Sequence, residues 1–84
     1  MNEEYAQHHR MLAERRAMLL SLDPVRCRAF LETYSRWDAI ETIDDEMCLV
    51  IMHKGRVETR DLPEHERAVS RTWLIEHNYR PGIL

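Results

Sequence analysis

Five histidines and two cysteines give this chain its greatest capacity for chemistry, as metal ligands or as base and nucleophile. Structural zinc sites need ligands paired on adjoining turns, in spacings such as C-x2-C or H-x3-H. His8 and His9 are instead direct neighbours, pointing ~100° apart on a helix. His53, His65 and His77 each stand alone, the last two separated by roughly three helical turns. The spacing predicts no metal and no cofactor, and His65 and His77 read as surface residues near helix ends. Cys27 and Cys48 lie among apolar neighbours, where a free thiol usually behaves as a small core hydrophobe. No nucleophile signature surrounds them, and Ser35 and Ser70 lack the glycines of a nucleophile elbow. Asp44-Asp45-Glu46 and Glu64/Glu66 pair carboxylates, but acid–base work needs such groups to converge in a sheltered pocket. Both clusters fit solvated helix N-termini, where the macrodipole favours negative charge. An enzyme is not expected.

Two other patterns point to binding. His53, Lys54, Arg56 and Arg60 precede Arg67 and Arg71, so Lys54, Arg56, Arg60, Arg67 and Arg71 form a candidate basic face able to meet phosphates. No aromatics interleave with it as a single-strand platform requires, and Glu58, Asp61, Glu64 and Glu66 dilute it. A salt-bridged, solvated face is therefore expected ahead of a nucleic-acid interface. The second pattern is five methionines and two tryptophans in a small chain. Methionine suits adaptable contacts, and Trp, Tyr and Arg are favoured at interface hot spots. Met11 and Met18, with Arg15 between them, make a candidate partner surface on the first helix if Leu12 and Leu19 face the core.

The elements that must position these residues are short and helical. An 84-residue chain makes one domain, read as spanning 1–84. At 44% hydrophobic and 32% charged it is globular rather than disordered, and two glycines and three prolines are too few for a turn-rich β fold. The net charge is −3, all of its excess arising in residues 41–84, which gives no global support to nucleic-acid binding. Two cysteines do not make a disulfide scaffold. The polar start and the absence of a long apolar run argue against a signal peptide or a membrane span, so the cytoplasm is the expected location.

Residues 3–22 contain strong helix formers and no Gly or Pro. Asp23-Pro24 supplies an N-cap and a first-turn proline for a helix to about Trp37, folding back on the first as an antiparallel hairpin. Asp61 and Glu64 resemble a capping box opening a last helix that runs to about His77. Residues 42–60 fit two readings. The apolar run Met47–Met52 could enter a β-hairpin over 47–60 turning at Lys54-Gly55. As a helix it would be capped by Thr42, with acids at its start and His53, Lys54 and Arg56 near its end; this reading is preferred despite about 1 kcal/mol lost to Gly55. The expected fold is all-α with about four helices, the alternative α+β.

From His53-Lys54-Gly55-Arg56 through Leu62-Pro63 to Ser70 and Trp73-Leu74, the chain resembles small, functionally unassigned proteins of phages and integrated mobile elements, in which Ala often replaces this glycine. The resemblance favours the helical reading. It implies a compact accessory protein that binds and modulates another protein, and it transfers no site residues. The expected function is a non-enzymatic protein-interaction module, acting on a partner or as a homodimer. A nucleic-acid-associated regulator is the alternative.

Overall fold

A computed structural model describes residues 3–35 and 42–80. Four helices follow one another: α1 (Glu3–Ser21), α2 (Pro24–Tyr34), α3 (Asp45–Glu58) and α4 (Glu64–Glu76). Among the described residues there is no strand, and the hairpin alternative over 47–60 is replaced by α3.

Local chemistry sets most of the helix ends. α1 stops where the Ser21 hydroxyl donates to the Met18 carbonyl at 2.7 Å and Leu22 turns to φ 51°. A left-handed leucine costs roughly 1–2 kcal/mol, but it lets Leu22 and Asp23 alone join two helices. Asp23 then caps α2, its Oδ1 accepting from the Val25 N–H at 3.0 Å, with Pro24 in the first turn. The Tyr34 hydroxyl donates to Glu14 at 2.5 Å, so the end of α2 lies beside the middle of α1 as an antiparallel hairpin requires. Trp37 lies outside the described residues.

α3 is capped by Asp44 rather than Thr42: its Oδ1 accepts from Met47 N–H at 2.8 Å. Ile43 before it is buried in the core with Cys48 one turn on. Arg28 of α2 secures this junction, donating to the Ile43 carbonyl at 3.1 and 3.3 Å and to Asp45 at 2.5 Å. α3 is the central helix, packed against the other three. That position explains the unbroken apolar run, because a helix covered on several sides needs apolar groups on several sides. Cys48, Val50 and Met52 are buried and Leu49 and Ile51 half-buried.

Gly55 lies inside α3, where a Cβ would come within 2.7 Å of Leu19 Cδ2. The missing side chain thus lets Leu19 of α1 pack directly on the α3 backbone, and the propensity cost of the glycine goes into that packing.

The expected capping box at α4 does not form. Asp61 lies too far ahead of the helix, whose N-cap is Pro63, and it pairs with Arg16 at 3.3 Å instead. Glu64 turns its carboxylate to Arg67 and Arg71. At the other end Asn78 adopts φ 66°, Tyr79 N–H reaches the Leu74 carbonyl at 2.8 Å and Asn78 N–H reaches Ile75 at 3.1 Å. This is a Schellman motif, with asparagine in the position that glycine usually takes.

Candidate functional site

The densest polar chemistry lies where α3 crosses α4. His53 and Arg56 project from α3, one turn apart, towards Glu66, Ser70, Trp73 and His77, which share one stripe of α4. The Ser70 hydroxyl stands 2.9 Å from His53 Nδ1 and accepts from Arg56 Nη1 at 3.2 Å. With the arginine as donor, the serine proton is free to go to His53 Nδ1, which places the imidazole hydrogen on Nε2. The other arm of Arg56 donates to Glu66. His53 is 2% exposed, and burial, reinforced by Arg56 and then His77, lowers its pKa to about 4. At neutral pH it is an uncharged imidazole, stacked on Trp73 at a ring separation of 4.3 Å. His77 stacks on Trp73 at 3.9 Å, and its Nδ1 donates to the Trp73 carbonyl at 2.8 Å.

A serine bonded to a neutral histidine is the nucleophile–base pairing of hydrolases. Here Ser70 is fully buried, so its oxygen is sealed from any substrate in this conformation. The arrangement instead holds α3 and α4 in one register, because His53, Arg56, Glu66 and Ser70 are paired with one another only when the two helices cross at this point. One buried donor, Arg56 Nε, has no hydrogen-bond partner, at a cost of about 1–3 kcal/mol.

The thiols are also sealed. Cys27 and Cys48 are both fully buried, and Cys27 Sγ donates to the Cys48 carbonyl at 3.8 Å. Burial, and then the neighbouring Cys48, push the Cys27 pKa to about 12, so it stays a thiol. Among the described residues no group of three or more His, Cys, Asp or Glu could hold a metal ion. No helix there is long and apolar enough to cross a membrane.

No family model, curated protein or solved structure matches this chain.

The residues singled out from sequence are dispersed. Met18 is 5% exposed and belongs to the core, whereas Leu12 is 45% exposed. Leu19 faces the core as that surface requires, but Met18 is buried beside it and Leu12 is not, so Met11 and Met18 share no open stripe. Met11 is half-buried and lines a groove between α1 and α2 with Arg15, Phe30 and Tyr34. Arg15 is drawn across to α3, donating to Thr59 Oγ1 at 2.9 Å. The basic set is similarly divided. Arg56 is buried against Glu66, so it faces no solvent. Arg67 donates to the Val57 carbonyl at 2.8 and 3.3 Å, closing the end of α3, and pairs with Glu64, as does Arg71. Lys54 is half-buried and Arg60 exposed.

One open face is the outer side of α4. His65, Ala68, Val69, Thr72, Trp73 and Glu76 line a shallow groove of about 400 Å³. Val69 is 44% exposed, and Trp73 is half-buried, its indole held between the two imidazoles. Sequence reasoning missed this face, although the spacing of these residues is that of one helical stripe.

Proposed function

We propose that this chain is a protein-interaction module whose binding surface is the outer face of α4. The observation that carries the reading is the groove of half-buried Ala68 and Trp73 with exposed Val69 and Thr72, bounded by the polar residues His65 and Glu76 at its two ends. That composition, an aromatic anchor amid small apolar groups with a polar rim, is what interface cores use. The rest of the molecule supports the same reading. Ser70, His53 and both thiols are sealed, and three of the five residues of the basic set are engaged by carboxylates of α4. The module is non-enzymatic, of the kind an accessory or inhibitor protein of a mobile element would be. A benzophenone amino acid at the exposed Thr72 is expected to yield a discrete protein adduct, with this chain or another, in cells expressing it. The same probe at Glu32, exposed on α2, is expected to yield none. No adduct from Thr72, or equal adducts from both positions, would overturn the reading.

A further inference from the structure

We propose that Cys27 and Cys48 are a redox-sensitive latch: hydrogen peroxide joins them in an intramolecular disulfide that fastens the start of α2 to the start of α3. They are the only cysteines in the chain, they come from different helices, and the fold brings them together. Cys27 Sγ lies 3.8 Å from the Cys48 carbonyl oxygen, and the two thiols are in contact. Their places in the two helices are equivalent. Each stands one turn inside a helix whose N-cap is an aspartate, with its own N–H bonded to the carbonyl of that cap. Cys27 reaches Asp23 at 3.0 Å and Cys48 reaches Asp44 at 3.1 Å.

Both sulfurs thus lie near the positive ends of helix dipoles, which favour a thiolate. Arg28 adds a positive charge that acts on both, and its bonds to the Ile43 carbonyl and Asp45 hold it at this junction. Burial opposes these effects and outweighs them, so the closed protein keeps Cys27 as a thiol. A local separation of α2 from α3 removes the burial while leaving each sulfur on its helix N-terminus and Arg28 beside Cys27. In that opened state one thiolate attacks the peroxide, forming an S–O bond as the O–O bond breaks. The expelled hydroxide takes up that thiol's proton and leaves as water. The second sulfur then displaces the hydroxyl of the sulfenic acid, forming the S–S bond as the S–O bond breaks, and its proton departs with the hydroxyl as a second water. Two electrons pass from the sulfurs to the peroxide. The new bond spans positions 21 apart in sequence, and restricting the unfolded chain in this way is expected to lower the unfolding constant by roughly 100-fold. Joining the sulfurs also prevents the opening that exposed them.

Treating the native full chain, freed of reductant, with hydrogen peroxide tests the latch. After denaturation both thiols are expected to resist alkylation, and peptide mapping to show Cys27 joined to Cys48 within one chain. Urea denaturation is expected to show the roughly 100-fold stabilisation, reversed by dithiothreitol. Cys27→Ala and Cys48→Ala are each expected to form no such bond and to gain no stability from peroxide. Should either variant fail to fold, the kinetics of the wild type decide. Its rate of disulfide formation is expected to change little across low urea, because the opening is local. Thiols that persist under peroxide, a disulfide formed only between chains, an oxidised form no more stable than the reduced one, or a rate that rises in step with global unfolding would each overturn the proposal.

Discussion

Acidification from pH 7 to 4 is expected to destabilise this domain through one residue, His53. The imidazole is 2% exposed, with Trp73 stacked on its face, Ser70 on Nδ1 and the Arg56 guanidinium bonded to the same hydroxyl. Its pKa falls from the ordinary 6.5 to about 4 because burial, then Arg56, then His77 disfavour the imidazolium. Between those two values the unfolded chain binds a proton that the folded chain refuses. The stabilisation is therefore complete above pH 6.5 and is lost progressively as the pH drops to 4. At about 1.36 kcal/mol per unit, the loss reaches up to about 3 kcal/mol. Domains of this size are stable by only about 5–15 kcal/mol, so the effect is a large share of the total. Urea denaturation followed by circular dichroism at half-unit steps is the assay. The slope of unfolding free energy against pH should approach one proton's worth near pH 5, and His53→Gln should remove that component. Observation of the His53 Cε1 proton titrating near 6.5 in the folded protein by NMR would refute the reasoning, as would an unchanged slope in the variant.

Three further outcomes follow from the packing. Ser70→Ala strands both His53 Nδ1 and Arg56 Nη1 in a buried site and is expected to cost about 2–4 kcal/mol in chemical denaturation. Asp23→Ala and Asp44→Ala each remove a helix cap and are expected to cost ~1 kcal/mol; Asp61→Ala removes only an exposed ion pair with Arg16 and is expected to cost under about 0.5 kcal/mol, whereas a capping box would give it the larger value. Gly55→Leu drives a side chain into Leu19 and is expected to cost at least about 2 kcal/mol despite leucine's better helix propensity, with a melting temperature that stays put as the contrary result.

The sequence carried the local decisions. Asp23-Pro24 specified a cap and a turn, and the structure has both. Acids before Met47 and bases after Met52 marked a helix, although the cap is Asp44 rather than Thr42 because Asp44 directly precedes the first turn. Asp61 and Glu64 had capping-box spacing, but Pro63 stands at the cap and the arginines of α1 and α4 take both carboxylates. Arg16 lies far from Asp61 in sequence, so no local pattern could reveal that competition. The polar cluster was hidden for a similar reason. His53, Arg56, Glu66 and Ser70 each look like surface residues, and only the crossing of α3 over α4 brings them together, burying all but the half-exposed Glu66.

The sequence by itself thus determined four helices and most of their boundaries, since caps, propensities and periodicity act within a turn or two and contribute about 1 kcal/mol each. Only the tertiary structure decided which way each helix faces. α1 carries apolar side chains at Met11 and Leu12 and again at Met18 and Leu19, so two rotations were compatible with its pattern. Packing buries Met18 and Leu19 together, Leu19 against the bare backbone of Gly55, and leaves Leu12 in solvent. The outer face of α4 has the same origin: it is the side left over once Ser70 and Leu74 have turned inward, a choice made by close packing between helices distant in sequence.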